Sequence, residues 1–239
     1  LMKLISYISS LIIGASLILV FEPFNFWFLT FFIPLSLYFL IKDHDIKSSF
    51  YLGWFFGFGL WLIGIFWIEN SIYFYGGATK SVSYFLVICL SAFLALLNGI
   101  FFGIFAYCKT KTNFDILFLF PSIWVGSEWI REFLLSGFPW FYLGYTSLDN
   151  FFFSGFIPIF GVFGMSFILI FIPALIFVLG ESLISGRQKN ISFIYLTIFS
   201  LFLIASFSSY KVEWTTKKDE VNIVIIQPKI SIEEKWSFQ

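Results

Sequence analysis

The chain has 239 residues, of which 59% are hydrophobic, 24% aromatic and only 12% charged, where a soluble domain averages roughly half apolar and about a quarter charged. With a mean hydropathy of +0.93, this composition excludes an ordinary soluble domain and a disordered chain. The balance of 14 basic against 14 acidic residues leaves no positive surplus for phosphate contacts, so no nucleic acid is expected as a partner.

In chain order, seven apolar runs cover residues 4–21, 24–41, 50–68, 82–107, 114–130, 156–179 and 191–207. Each is about the length that an α-helix needs to cross a hydrocarbon core. They predict an all-α polytopic membrane domain of seven transmembrane helices over residues 1–208. The first run follows Lys3 and leads through Glu22-Pro23 straight into the second rather than to a small-residue cleavage site, so it reads as a retained helix. Two Gly-x-x-x-Gly pairs, Gly53 with Gly57 and Gly99 with Gly103, predict close helix packing in lipid.

Orientation follows from the cations in the short connections, because cytoplasmic loops hold the positive charge. One side collects Lys3, Lys42, Lys47, Lys109, Lys111, Arg187 and Lys189, and the other, before the tail, only Lys80 and Arg131. The N-terminus is therefore predicted inside, and seven crossings put everything after Phe207 outside.

Beyond the seventh run the composition changes. Lys211, Glu213, Lys217, Lys218, Asp219 and Glu220 precede the apolar run Val221 to Pro228, which is too short to span. Rich in β-branched residues, it predicts the first strand of an α/β domain over 209–239. One strand cannot stand alone, so the sequence reads as stopping just after entering a soluble domain. The opening Leu1 before Met2 reads as an alternative start or a fragment boundary.

There is no Gly-x-Ser-x-Gly, phosphate-binding glycine loop or His-Glu-x-x-His in the sequence. The single histidine, His44 in Lys42-Asp43-His44-Asp45, reads as part of a solvated inner loop, with a metal site as the alternative. Cys89 and Cys108 offer neither a metal quartet nor a disulfide framework and read as small hydrophobes; no metal and no cofactor are expected. The 38 phenylalanines show no stacking period and read as lipid-facing bulk.

Charges inside a span are costly unless paired, hydrated or near the interface. Glu128, Arg131 and Glu132 share one face of the fifth predicted helix near its outer end, so Arg131 can pair with Glu128 while Glu132 reaches the headgroups. Interfacial anchoring and direct contact with a lipid headgroup or substrate both stay open for these three, and for Glu69 and Asn70. The loop that follows carries Ser136-Gly137-Phe138-Pro139-Trp140 and then Leu143-Gly144-Tyr145. Its glycine and proline set a fixed turn, and its aromatic residues suit a membrane interface.

Gly137-Phe138-Pro139-Trp140 with Leu143-Gly144-Tyr145, after Glu128-Trp129-Ile130-Arg131, resembles the signature of the bacterial apolipoprotein N-acyltransferases. Phe21-Glu22-Pro23, Gly57-Phe58-Gly59-Leu60 with Trp67 and Gly76-Gly77, Gly161-Val162-Phe163-Gly164 with Ser166-Phe167, and Val224 to Ile230 followed by Lys235-Trp236 are similar to successive segments of that family. The resemblance implies an inner-membrane enzyme with eight spans and a periplasmic nitrilase-like domain between the seventh and eighth. It implies transfer of an acyl chain from a phospholipid donor to the N-terminal amine of a diacylglyceryl-modified lipoprotein acceptor. The family's Glu-Lys-Cys triad would fall beyond Gln239, so this chain by itself is expected to be inactive. Trp236 resembles a family tryptophan near the active site. With Gly137, Phe138, Pro139, Trp140, Tyr145, Glu128 and Arg131 it makes up the expected substrate-binding set. Gln227-Pro228 stands where the family has Gln-Gly, and Glu69-Asn70 stands where it has apolar or neutral residues. The alternatives are a non-enzymatic membrane protein, either a small permease or a scaffold, and one half of a split enzyme.

Overall fold

A computed structural model describes residues 2–148, 150–185, 189–216, 222–227 and 230. Among these, eight α-helices follow in chain order: α1 (Met2–Ser16), α2 (Ile33–Ile41), α3 (Ile46–Gly64), α4 (Ile68–Phe74), α5 (Lys80–Cys108), α6 (Phe120–Phe133), α7 (Ile157–Ser185) and α8 (Lys189–Tyr210). Five stretches, Lys3–Val20, Ile46–Gly64, Lys80–Cys108, Ser154–Ser185 and Ser192–Tyr210, are long and apolar enough to cross a membrane. Large apolar side chains such as Ile8, Ile12, Phe85, Phe193 and Ile204 point outward from them, as a lipid-facing surface requires.

Among the described residues the second predicted span is helical but interrupted, and the fifth is helical throughout with a π-helical turn near its start. The second consists of a 3-10 turn (Trp27–Phe31) and the nine-residue α2, with Pro34 in its first turn, where the missing N–H is not needed. The fifth runs as helix without a break over 113–133, widening to a π-helical turn (Asp115–Leu119) before α6, with Pro121 in the first turn of α6. A proline that lacks the N–H of a regular ladder marks the place where both segments change geometry.

The strand expected over 221–228 is not formed at 222–227, and no strand occurs among the described residues. Ile223, Val224, Ile225 and Ile226 are each more than three-quarters exposed. An isolated strand has no ladder to satisfy its backbone and no sheet to cover its side chains.

At the centre of the bundle α3 lies between α1 and α5. Without a hydrophobic drive between helices in lipid, close backbone approach must supply the packing, and small residues permit it. A β-carbon at Gly14 would lie 1.8 Å from the carbonyl oxygen of Phe56, and one at Gly59 would lie 2.1 Å from that of Leu11. The Ser10 hydroxyl donates to the Leu52 carbonyl at 2.6 Å in the same crossing. The expected glycine pairs pack α3 on α5: Gly53 and Gly57 face Asn98 and Phe102, and Gly99 faces Phe50.

The phenylalanines do more than face lipid. Phe56, Phe102, Phe120 and Trp124 form a buried ring cluster with centroid separations of 5.5 Å (Phe56 to Trp124), 5.8 Å (Phe102 to Phe120) and 6.1 Å (Phe120 to Trp124). At the end of the bundle that carries His44, the Lys109 ammonium donates to the backbone carbonyls of Lys42 and His44. Asp115 accepts from the Thr110 and Lys111 amides at 2.8 and 2.6 Å and from the Thr110 hydroxyl at 2.9 Å. Among the described residues no group of histidine, cysteine or acidic side chains is arranged to hold a metal.

Candidate functional site

Helix α6 buries Trp124, Ser127, Glu128 and Arg131. Their spacing of three, four and seven places them on one face. Around this face the stretches 134–148 and 150–156 fold back against the bundle instead of leaving it, with Tyr142, Leu143 and Phe153 almost wholly buried.

Glu128 holds that segment down. Its Oε1 accepts from the Trp124 indole N–H at 2.9 Å and from the Leu143 amide at 2.9 Å, while Oε2 has no partner. One turn further along, the Arg131 carbonyl accepts from the Phe138 amide at 2.9 Å. The Arg131 guanidinium does not pair directly with Glu128 as the sequence suggests: its Nε and Nη2 are without partners. It lies 4.8 Å from the Trp61 ring and 5.0 Å from the Tyr142 ring, an arrangement in which two π faces take part of the charge. Trp61 is fixed in turn by its indole N–H on Asn98 Oδ1 at 3.1 Å. The cation thus links α3, α5, α6 and the returning segment. Glu132, by contrast, is exposed. Burial pushes the Tyr142 phenol above its ordinary range, against the pull of the neighbouring Arg131 cation.

The turn that carries the segment inward requires unusual backbone. Gly137 has φ 89°, and a β-carbon there would lie 2.4 Å from the Glu132 carbonyl oxygen. Ser136 and Phe141 also have positive φ, at 75° and 59°, conformations held only where surrounding contacts over-determine them. Those contacts are aromatic: Phe138 stacks on Trp140 at 4.8 Å and meets Trp61 at 5.6 Å, and Phe141 meets Phe21 at 5.2 Å. A 3-10 turn (Leu143–Ser147) then docks on α7. There the Gly144 amide donates to the Ser166 hydroxyl at 2.8 Å, and a β-carbon on Gly144 would lie 2.0 Å from the Val162 carbonyl oxygen.

Two cavities flank the turn. One of about 440 Å3 opens between Phe21, Glu22 and Asn25 on one side and Pro139, Trp140 and Tyr145 on the other. The second, about 330 Å3, lies between α5 and the Arg131 end of α6, with Gly137 and Phe138 at its rim. Both volumes fall in the range of about 300–1,000 Å3 typical of ligand clefts.

Seven of the eight expected site residues therefore converge. Glu128 and Arg131 lie beneath the turn, Gly137 and Phe138 form it, and Pro139, Trp140 and Tyr145 line the larger cavity. The eighth, Trp236, lies outside the described residues. Glu69 is buried with Oε1 unpartnered, whereas Asn70 is exposed. Sequence reading missed Trp61, Tyr142 and Asn98, and it named Ser166 only within a motif of the sixth span, not as part of the site. Asn98, a polar side chain in the middle of an apolar run, carried a signal that intramembrane polar groups have partners; Trp61 and Tyr142 carried none. Cys89 and Cys108 are free and exposed on α5. The chemistry these groups can perform is binding and positioning: a buried cation, a fixed turn and an aromatic-lined cavity.

Comparison with known proteins matches residues 13–175 to the family described as the apolipoprotein N-acyltransferase N-terminal domain. The apolipoprotein N-acyltransferase of Pasteurella multocida (strain Pm70) is 32% identical over 98% of this chain and 45% of its own length. That of Coxiella burnetii (strain RSA 493 / Nine Mile phase I) is 32% identical over 95% of this chain and 46% of its own. That of Haemophilus influenzae (strain ATCC 51907 / DSM 11121 / KW20 / Rd) is 29% identical over 98% and 44%. The chain spans less than half the length of these curated relatives.

Proposed function

The chain belongs to the apolipoprotein N-acyltransferase family, whose N-terminal domain it carries, and we propose that it is the membrane domain of an inner-membrane enzyme that moves an acyl chain from a phospholipid to the N-terminal amine of a diacylglyceryl-modified lipoprotein. In this reading the acyl group passes to a cysteine thiolate as a thioester, with release of the lysophospholipid. The acceptor amine then attacks the thioester carbonyl and regenerates the thiolate. The membrane domain's part is to hold two bilayer-bound substrates beside the nucleophile.

The observation that carries this reading is the turn 137–145, pinned below by Glu128 and Arg131 and open above into the cavity that Trp140 and Tyr145 line. Trp140 and Tyr145 are 41% and 48% exposed there, so they are free to touch a substrate while the backbone beneath them is fixed. The segments built from α2 and α6 complete seven crossings. The N-terminus is cytoplasmic, the turn lies on the periplasmic side, and the residues from 209 onward lead into a soluble nitrilase-like domain. The excess of lysine and arginine at one set of helix ends supports this orientation. In an acyl-transfer assay with the full-length protein, Trp140→Ala lowers turnover by about tenfold or more, as loss of one aromatic contact to a bound partner does, with unchanged yield of folded protein. Wild-type turnover in that variant refutes the assignment of the turn to substrate access.

A further inference from the structure

The smaller cavity shares no lining residue with the larger one. Its long wall is the α5 face bearing Leu90, Phe93, Leu94, Leu97 and Ile100, an entirely apolar strip about 15 Å long at the rise of an α-helix. Its end is Arg131, a side chain only 5% exposed with Nε and Nη2 unpartnered. The Trp61 and Tyr142 rings lie 4.8 and 5.0 Å from the guanidinium and disperse part of its charge. Glu128, one turn back on α6, has Oε1 committed to Trp124 and Leu143 and Oε2 without a hydrogen-bond partner. In a low-dielectric site a guanidinium with open donors is a receptor for an oxyanion, which its planar fork matches.

We propose that this groove holds one acyl chain of an anionic amphiphile, chain along α5 and oxyanion head on Arg131. A carboxylate and a phosphodiester share the required chemistry. An occupant's head would give the unpartnered Arg131 donors an acceptor and brace the turn at Gly137 and Phe138, which line the groove. The proposal goes beyond acyl transfer, because it concerns a resident ligand on the other cavity.

The test is a thermal-unfolding titration of the delipidated protein in an uncharged detergent, with a long-chain fatty carboxylate, phosphatidylglycerol and an uncharged diacylglycerol. The carboxylate or the phospholipid raises the unfolding midpoint, whichever does so identifying the source of the head, and the diacylglycerol does not. Leu97→Trp, which fills the groove without touching Arg131, weakens binding by about tenfold or more, and Arg131→Lys, which keeps the charge and loses the fork, by about ten- to a hundred-fold. Equal stabilisation by the diacylglycerol, no stabilisation by either oxyanion, or unchanged binding by Leu97→Trp overturns the proposal. Binding is read without turnover, so its failure leaves the acyl-transfer reading intact, and the converse holds too.

Discussion

Glu128 is the residue whose replacement most directly tests how the returning segment is held. One of its oxygens serves two buried donors, the Trp124 indole and the Leu143 amide, each at 2.9 Å. Glu128→Gln removes the charge but keeps an oxygen that can accept from both, whereas Glu128→Leu removes the charge and both acceptors. The electrostatic effect on Arg131 is common to the two variants, so their difference isolates the hydrogen bonds. A buried donor left unsatisfied costs about 1–3 kcal/mol, and two of them about 2–6 kcal/mol. The expected gap is therefore at least about 2 kcal/mol, which corresponds to a loss of protection of about thirtyfold. Amide hydrogen exchange at Leu143 in detergent micelles reads it locally, because that amide exchanges only when the contact to α6 opens. Equal exchange rates at Leu143 in the Gln and Leu variants would show that the segment is held by its aromatic contacts and not by Glu128.

Three further substitutions probe the scaffold. Gly14→Ala places a methyl 1.8 Å from the Phe56 carbonyl oxygen, and forcing α1 from α3 lowers stability by about 1–3 kcal/mol or more, measurable as a lower thermal midpoint. Gly144→Ala meets the Val162 carbonyl at 2.0 Å and is expected to undock the 3-10 turn from α7, read as loss of exchange protection at the amide of position 144 with the long helices intact. Asp115→Ala strips the acceptor from the Thr110 and Lys111 amides and costs about 1–3 kcal/mol; limited proteolysis after Lys109 or Lys111 should become faster.

Hydropathy located the helices well because an apolar run of the right length is a local property. The five long apolar helical stretches overlap runs read from the sequence, with ends that differ by up to six residues, and the glycine pairs marked the α3 to α5 contact for the same reason. The two weaker runs were harder. Pro34 and Pro121 are visible in the sequence, but whether a proline opens a helix, kinks it or ends it depends on which neighbours satisfy the freed backbone. The run after 221 has the composition of a buried strand, yet a strand exists only with a partner to pair with.

The sequence by itself determined that the chain is helical and membrane-embedded, and its ordered motifs carried the family resemblance. It also marked residues 128–145 as the segment to examine, since glycine, proline and aromatic residues there are tied to a particular local turn. Only the tertiary structure decided what those residues do for one another. The partners of Glu128 and Arg131 lie on the returning segment and on α3, at Leu143, Tyr142 and Trp61. From helical spacing alone Arg131 pairs with Glu128; in the fold it is held between two rings and closes one end of an apolar groove. The physical reason is that a charge in a low-dielectric interior settles where the surrounding packing can meet it, and that packing is brought together by chain folding over long sequence distances rather than by neighbours along one helix.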